Sequence, residues 1–307
     1  MKRKSFTILL PDMLHYHNEL LQAAFTACGY HMEILPEERN LPEYSLPYIS
    51  SDYCLPAVLI LGQMLAAIQS GKFHPDEIAF MEPQTGGACR AGNYYNSIIE
   101  SLKRAGYSQI PVISLNASGK DKHEGFMISP KLLFGAIAAV CFGDLLMTLY
   151  QQVRPYERKK GEAKACWEWW NRRLCEDIMN GKNLSRKGRK EQYHQIVDDF
   201  ARIPVKARNL RRVGITGEIY IKFSPVGNER LEQFLQEQDC AYRMGGFVNY
   251  AIYIVDSERE NQKLHGAGRV VQKAYETVIR YLCRIQQDIN QSIAESDRFL
   301  PDANGGL

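Results

Sequence analysis

The stretch Glu77–Asn116, EIAFMEPQTGGACRAGNYYNSIIESLKRAGYSQIPVISLN, contains the alternation that decides the fold. The apolar run EIAFME predicts a β-strand, and the glycine-rich QTGGACR that follows it predicts a turn. NYYNSIIESLKRAG has the periodicity of an amphipathic helix, and IPVISLN predicts another strand. A strand, a helix and a strand in this order favour a right-handed βαβ unit with parallel strands.

The same alternation precedes this stretch. KSFTILLP, HNELLQAAFTACG, YHMEILP and LPAVLILGQMLAAIQSG predict strand, helix, strand and helix, with a long loop running to Tyr53 before the last of them. From Ser129 to about Arg202 the pattern is helical, and at Arg212 a strand, helix, strand order resumes. The sequence therefore predicts a Rossmann-like parallel α/β domain over residues 1–128, a helical linker or insertion over 129–210, and a second α/β unit over 211–307. With so few strands, we expect the second unit to be incomplete.

The charge of the chain is unevenly distributed. The net charge of +3 over 307 residues conceals a segment, 154–212, with 17 Lys and Arg against 8 Asp and Glu. Such a face could meet an acidic protein, the phosphates of a nucleotide-like substrate or nucleic acid, or be a solvated helical hairpin. The sequence has no signature of a nucleic-acid-binding fold, which argues against nucleic acid as the partner.

Hydropathy and the spacing of the cysteines indicate the cellular compartment. We find no run of about 18 apolar residues and so expect no membrane-spanning helix. The N-terminal segment reads as a strand rather than a secretory signal, because Pro11 and Asp12 interrupt its apolar run. The eight cysteines lack the spacing of a disulfide framework. These features predict a reduced, cytoplasmic protein whose cysteines are buried or act as ligands.

Two cysteines are expected at one edge of the parallel sheet. Cys89 lies in the turn between a strand and a helix, and Cys54 precedes the helix before it. In a parallel sheet such turns all emerge at the carboxyl edge, where ligands of doubly wound folds bind. Backbone N–H groups at a helix N-terminus favour the thiolate form. Cys54 and Cys89 are therefore predicted to be suited to binding a metal, whereas the other six cysteines are interpreted as structural.

The glycine-rich turn excludes several alternatives. The chain has neither the GxxxxGK[ST] pattern of a P-loop nor the GxGxxG pattern of a dinucleotide site. Arg90 follows Cys89 directly, which does not suit a phosphatase-type thiolate loop. Convergent thiolates without an evident acid–base pair favour an iron–sulfur cluster, with zinc as the second metal.

Several further segments carry a resemblance to a known family. These are LPDMLHYHNELLQAAF, YISSDYCLPAVLILGQML, FMEPQTGGACRAGNY, QIPVISLN, FGDLLMTLYQQVRPYE, DDFARIPV and VGITGEIYIKFSPVGNERLEQFL. In this order, from about Ile8 to Phe247, they resemble the acyl-CoA dehydratase activase-related proteins, which contain a unit similar to the D-component of 2-hydroxyacyl-CoA dehydratases. SDYC and QTGGACR are the most specific of these motifs.

The resemblance implies a [4Fe–4S] cluster held in part by Cys54 and Cys89. It further implies an oxygen-sensitive cytoplasmic component of an (R)-2-hydroxyacyl-CoA dehydratase, a lyase, or of a related reductase. A separate ATP-dependent activase or another subunit would deliver the electron, and an acyl-CoA would be the substrate. Because the ATPase motifs are absent, we expect no ATP hydrolysis by this chain alone. The other class left open is a non-catalytic scaffold or regulatory subunit, in a homodimer or heterodimer, that keeps the fold without a cluster.

The resemblance also raises expectations about the remaining site residues. Relatives supply a third cysteine from a later segment, whereas no comparable cysteine-containing turn follows Cys283 here. A further segment, or another chain, is expected to supply it, or the cluster is lost. Thr85, Gly86 and Gly87 are expected either to bring backbone N–H groups close to the cofactor or only to form the turn that enters the helix. Arg90 is expected to pair with a cluster, a CoA phosphate or a surface carboxylate. His15, Asn18 and Glu19 start the first helix at the same edge and are expected either to line the site or to cap the helix. Glu218 and Lys222 are expected either to face the cleft between the domains or to form an ion pair.

Overall fold

The computed structural model describes residues 6–83, 89–115 and 126–302. The elements of its first part follow in the order β1 (Thr7–Leu10), α1 (Asn18–Thr26), β2 (His31–Ile34), α2 (Leu41–Ser45), α3 (Leu55–Gln69), β3 (Ile78–Pro83), α4 (Tyr94–Arg104) and β4 (Val112–Leu115). The prediction of alternating strands and helices is confirmed. The prediction of a long loop up to Tyr53 was wrong in part, because the short helix α2 lies within it. Its first residue, Leu41, is buried against α3.

The four strands form one parallel sheet in the order β2-β1-β3-β4. The strands are buried on both faces. Ile8 and Leu10 contribute to the core shared with α1, whereas Leu9 contributes to the core shared with α3. The chain runs from β1 to β2 on one side and then crosses over β1 to reach β3 on the other side, so a topological switch point lies between β1 and β3. In such sheets a ligand crevice is expected outside the carboxyl ends of the strands at this point.

The second part of the chain is mostly helical. Its elements are α5 (Pro130–Val153), α6 (Glu162–Met179), α7 (Arg186–Arg202), β5 (Arg211–Ile215), α8 (Ile219–Phe223), α9 (Leu231–Glu237), β6 (Cys240–Met244), α10 (Phe247–Leu264) and α11 (Arg269–Ala294). β5 and β6 pair in parallel as a separate two-stranded sheet. The helices α5, α6 and α7 share a hydrophobic core with α1 and one face of the four-stranded sheet.

The expectation that no segment has the length and hydropathy of a membrane span was wrong for one helix. Residues Pro130–Tyr156 meet both criteria, but 72% of their most apolar window is buried inside the protein. Side chains such as Phe142 and Leu145 are fully buried in the core beside α1 and α7. The apolar character of α5 therefore reflects its central position in the protein interior.

Part of the basic charge of 154–212 is paired within the protein. Arg186 donates two hydrogen bonds to Asp288 of α11, at 2.6 and 2.8 Å. The guanidinium of Arg208 lies 2.6 Å from Asp239. These pairs fix the basic helices to the acidic remainder of the chain, which explains some of the uneven charge without an external partner.

The close approach of α2 to α3 depends on a glycine. A Cβ added at Gly62 would lie 2.4 Å from the backbone oxygen of Leu41. We expect Gly62→Ala to lower the free energy of unfolding by about 1–3 kcal/mol, because the overpacking outweighs the roughly 1 kcal/mol that alanine gains in helix propensity. Urea denaturation measures this. Gly214→Ala is the control, since a Cβ there meets no atom within 4 Å. Equal stabilities of the two variants would contradict the prediction.

Candidate metal centre

Cys54 and Cys89 each lie directly before a helix. Cys54 is the N-cap residue of α3 and is half-buried, with Pro56 in the first turn of the helix. Cys89 is exposed and precedes a single 3₁₀ turn, Arg90–Asn93, which leads into α4. The Cys89 Sγ accepts a hydrogen bond from the backbone N–H of Ala91 at 3.4 Å. Backbone donation of this kind stabilises negative charge on sulfur.

The turns that carry these cysteines are in direct contact. Arg90, next to Cys89, donates a hydrogen bond to the backbone oxygen of Asp52 at 3.3 Å. Further along the chain, in α4, the Ser97 hydroxyl donates to the Tyr53 hydroxyl at 3.1 Å. The two residues that directly precede Cys54 are therefore attached to the segment that follows Cys89. The fold brings together two segments that lie 35 residues apart in the sequence.

Tyr94 interacts with both cysteines. Its side chain is buried, and it interacts with Cys54 and, more weakly, with Cys89. Burial, followed by the contacts with Cys54, Glu218 and Cys89, raises the pKa of Tyr94. Burial, with smaller effects from Glu218 and Cys89, also raises the pKa of Tyr250 to about 12. Tyr94, Tyr250 and Glu218 are therefore close enough to Cys89 or to one another to interact electrostatically.

Of the other predicted residues of this turn, the structure describes Arg90. Thr85, Gly86 and Gly87 lie outside the described residues, so the expected approach of their N–H groups remains a prediction. Arg90 is exposed and is held by the carbonyl oxygen of Asp52. A guanidinium has five N–H donors, so this contact leaves others for an anion.

Glu218 and Lys222 have separate local roles. Glu218 is the N-cap residue of α8, and its Oε2 accepts a hydrogen bond from the backbone N–H of Ile221 at 3.0 Å. Lys222 donates to the backbone oxygen of Gly245 at 2.6 Å, and burial lowers its pKa. Glu218 is the member of this pair that lies near Tyr94 and therefore near the cysteines.

Of the three candidates around α1, His15 and Asn18 contact the same residue, Asp12, whereas Glu19 does not. His15 lies 3.4 Å from Asp12, and the Asn18 amide donates to the other oxygen of Asp12 at 2.5 Å. The hydrogen bond with Asp12 raises the pKa of His15. Glu19 instead accepts a hydrogen bond from Asn171 of α6, away from this group.

The ligand geometry bears on the choice between the two metals. Within residues 6–83, 89–115 and 126–302, one group of three ligand-type atoms lies within 4.8 Å of one another, and it consists of Asp12, His15 and Glu37. Tetrahedral zinc with thiolate bonds of about 2.3 Å would place its sulfur ligands roughly 3.8 Å apart. Neither Cys54 nor Cys89 belongs to such a compact triad among these residues. The choice between zinc and an iron–sulfur cluster at these cysteines therefore stays a prediction from the sequence.

Burial distinguishes several of the remaining cysteines from this pair. Cys141 is fully buried, and burial raises the pKa of its thiol to about 11. Burial likewise raises the pKa of Cys166 and of Cys175 to about 12. These thiols stay protonated at neutral pH and are held among apolar side chains, as expected of structural cysteines.

Two residues near the site were missed in the sequence. Tyr94 was read only as part of an amphipathic helix, although its place at the start of α4, five residues after Cys89, put it at the sheet edge. Glu82 is 1% exposed at the end of β3, and burial raises its pKa from 4.5 to about 8. The sequence carried one signal for Glu82: an acidic residue ends the apolar run IAFME of a buried strand. Burial of a charged group is costly, so an unusual side chain could be expected there.

Comparison with known proteins adds no family assignment, since the chain matches no protein-family model, no curated protein and no solved structure.

Proposed function

We propose that the protein is the cluster-binding, electron-accepting component of an enzyme system that dehydrates or reduces CoA esters. The observation that carries the proposal is the convergence of the Cys54 and Cys89 turns around Tyr94 at the carboxyl edge of the parallel sheet. The resemblance to the 2-hydroxyacyl-CoA dehydratase D-component supports the identity of the cofactor as a [4Fe–4S] cluster.

The donor set fits such a cofactor as part of its ligands. Two thiols lie at adjacent turns, one exposed and one half-buried, and Cys89 already accepts a backbone N–H. Cys54 and Cys89 would hold two positions of the cluster, and the remaining ligands would come from a further segment or a partner subunit. Bound there, the cluster would supply one-electron chemistry.

The chain's own residues would define the surroundings of that centre. Tyr94 interacts with Cys54, and a hydrogen bond from its hydroxyl to the cysteine sulfur would orient that sulfur as a ligand and tune its basicity. The Asp52 carbonyl holds Arg90 beside Cys89, where its remaining donors can bind a phosphate of a substrate. Cytoplasmic location and an ATP-dependent activase as electron donor belong to the same proposal.

The proposal is tested by anaerobic reconstitution with iron and sulfide. We expect absorption near about 400 nm and bound iron below one cluster per chain, because two cysteines alone bind weakly. Cys54→Ser and Cys89→Ser should each reduce the bound iron several-fold, since each removes one of the two ligands. Iron assay of the desalted protein measures this.

Cys28→Ser and Cys141→Ser are the matched controls and should retain the wild-type iron content. A wild-type chain that binds no iron, or four variants that lose iron equally, would contradict the proposal. Absence of iron with an intact fold would favour the alternative of a non-catalytic scaffold or regulatory subunit.

A further inference from the structure

A cavity of about 450 Å³ lies against the two-stranded sheet, and its lining includes no residue of the Cys54 and Cys89 turns. In the register of this sheet Arg212 pairs with Ala241, and Gly214 pairs with Arg243. Because side chains alternate along a strand, these four residues share one face. The opposite face, with Tyr242 and Met244, packs into a hydrophobic core. Gly214 and Ala241 therefore form a floor of small residues in the cavity.

The walls of the cavity combine apolar and aromatic groups. Tyr156, Val205 and Phe299 line it, and Phe299 is itself anchored in the main core. A Cβ built on Gly214 meets no atom within 4 Å, so the space above the floor is open. The volume falls in the range of about 300–1,000 Å³ that is typical of small-molecule pockets.

Two buried donors at this cavity have no acceptor among the described residues. Gln151 is 1% exposed, and its Oε1 accepts a hydrogen bond from the Met244 backbone N–H at 3.1 Å, whereas its Nε2 has no partner. Arg298 donates through Nη1 to the Ala201 carbonyl, whereas its buried Nη2 has no partner. Buried donors without an acceptor are costly, so a side-chain rotation that brings them to an acceptor in the adjoining cavity would be favourable.

The charge of the lining has one sign. Arg212, Arg243 and Arg298 line the cavity, and its described lining contains no carboxylate. Arg243 is already held by Asp302 at 3.2 Å and by the carbonyl oxygens of Leu300 and Pro301. Arg212 is exposed and, within the described part of the chain, forms no ion pair. Two guanidinium groups thus remain for a ligand.

We propose that this cavity binds a small amphipathic anion. Its apolar or aromatic body would lie on the floor formed by Gly214 and Ala241, and its carboxylate or phosphate would be held by Arg212, Arg298 and the amide of Gln151. Guanidinium groups bind both anions through paired N–H donors. This site is separate from the cysteine pair and does not depend on a cluster being bound there.

The site is tested with the fluorescent aromatic anion 8-anilinonaphthalene-1-sulfonate as the probe. Gly214→Leu fills the open space above the floor, and Arg212→Glu reverses the charge at the rim. We expect each substitution to weaken probe binding by about tenfold or more, a difference of roughly 1.4 kcal/mol. Benzoate and phenyl phosphate should displace the probe, and the stronger competitor identifies the anionic group. Neutral benzamide should displace it far less.

Two matched variants separate this cavity from other binding. Arg211→Glu makes the same change of charge as Arg212→Glu, but on the opposite face of β5. It should leave the affinity for the probe unchanged. Ala136→Leu obstructs a different, apolar cavity of about 420 Å³ beside α5, and should also bind the probe normally. Wild-type binding by Gly214→Leu and Arg212→Glu would overturn the proposal, as would equal losses in Arg211→Glu and Arg212→Glu. Thermal unfolding of each variant verifies that it is folded.

Discussion

Replacing Asp144 with alanine is expected to lower the free energy of unfolding by about 3–5 kcal/mol, because the substitution leaves several buried polar groups unpaired. The Asp144 carboxylate is 4% exposed and accepts the backbone N–H groups of Phe247 and Val248, at 2.6 and 2.8 Å. It also accepts the Nε2–H of His17, which is fully buried, at 2.8 Å. One side chain of α5 thus caps α10 and fixes the start of α1.

Two glycines make room for this network. A Cβ on Gly143 would lie 2.2 Å from the His17 ring, and a Cβ on Gly246 would lie 2.5 Å from the Asp144 carboxylate. Gly246, the N-cap residue of α10, has no side chain with which to cap its own helix. Asp144 supplies that function from a distant part of the chain, which explains why its removal should be more damaging than loss of an ordinary cap.

Chemical denaturation measures this prediction. Ser185→Ala is the control, since it removes a single exposed cap of α7 and should cost only about 1 kcal/mol. Asp144→Asn keeps one acceptor oxygen and should fall between the two. Equal losses in Asp144→Ala and Ser185→Ala would show that the buried network contributes little.

Replacing Glu82 with glutamine is expected to stabilise the protein in alkaline solution by about 3–5 kcal/mol. The folded-state pKa of Glu82 is about 8, whereas the ordinary value is 4.5, because the side chain is fully buried. Its Oε2 has no hydrogen-bond partner among the described residues. Burial therefore favours the neutral acid strongly over the carboxylate.

The direction of the pH effect follows from this raised pKa. The neutral form of Glu82 contributes its full stability below about pH 4.5, and that contribution is lost as the pH rises through about 8. Glutamine stays neutral at every pH and should remove this dependence. We expect wild type and Glu82→Gln to have similar stability near about pH 5, and the variant to be the more stable near about pH 9.

Urea denaturation at the two pH values measures the effect. Glu77→Gln, at an exposed residue just before β3, is the matched control and should leave the pH dependence unchanged. If Glu82→Gln loses stability with pH as steeply as the wild type, the buried carboxyl is not the source of the dependence.

Much of the fold could be predicted from local patterns. The strands β1 to β4 and the helices α1, α3 and α4 all lie where hydrophobic periodicity placed them, because burial on one or both faces imposes a repeat that a single segment displays. The short helix α2 was missed, since a five-residue helix has too few turns to show a period. The apolar composition of α5 was misjudged because hydropathy alone does not distinguish a core helix from a membrane span.

The candidate site was predictable only in part. Cys54 and Cys89 were identified from their positions before helices, and the parallel sheet placed both at one edge. Their contact through Arg90 and Asp52, and the interaction of Tyr94 with both, depend on how α3 and α4 pack, which no local pattern reports. The cavity beside β5 could not be predicted either, because its lining comes from five separate stretches of the chain.

The sequence by itself determined the order and type of the main elements, and it identified the two cysteines at turns that precede helices. Only the tertiary structure decided that Glu82 is buried with one oxygen unpaired among the described residues, and that Asp144 caps a helix 103 residues further along the chain. The reason is physical: secondary structure follows from periodic burial and backbone hydrogen bonds within a segment, whereas burial of a charge and pairing of polar groups depend on which distant segments pack together.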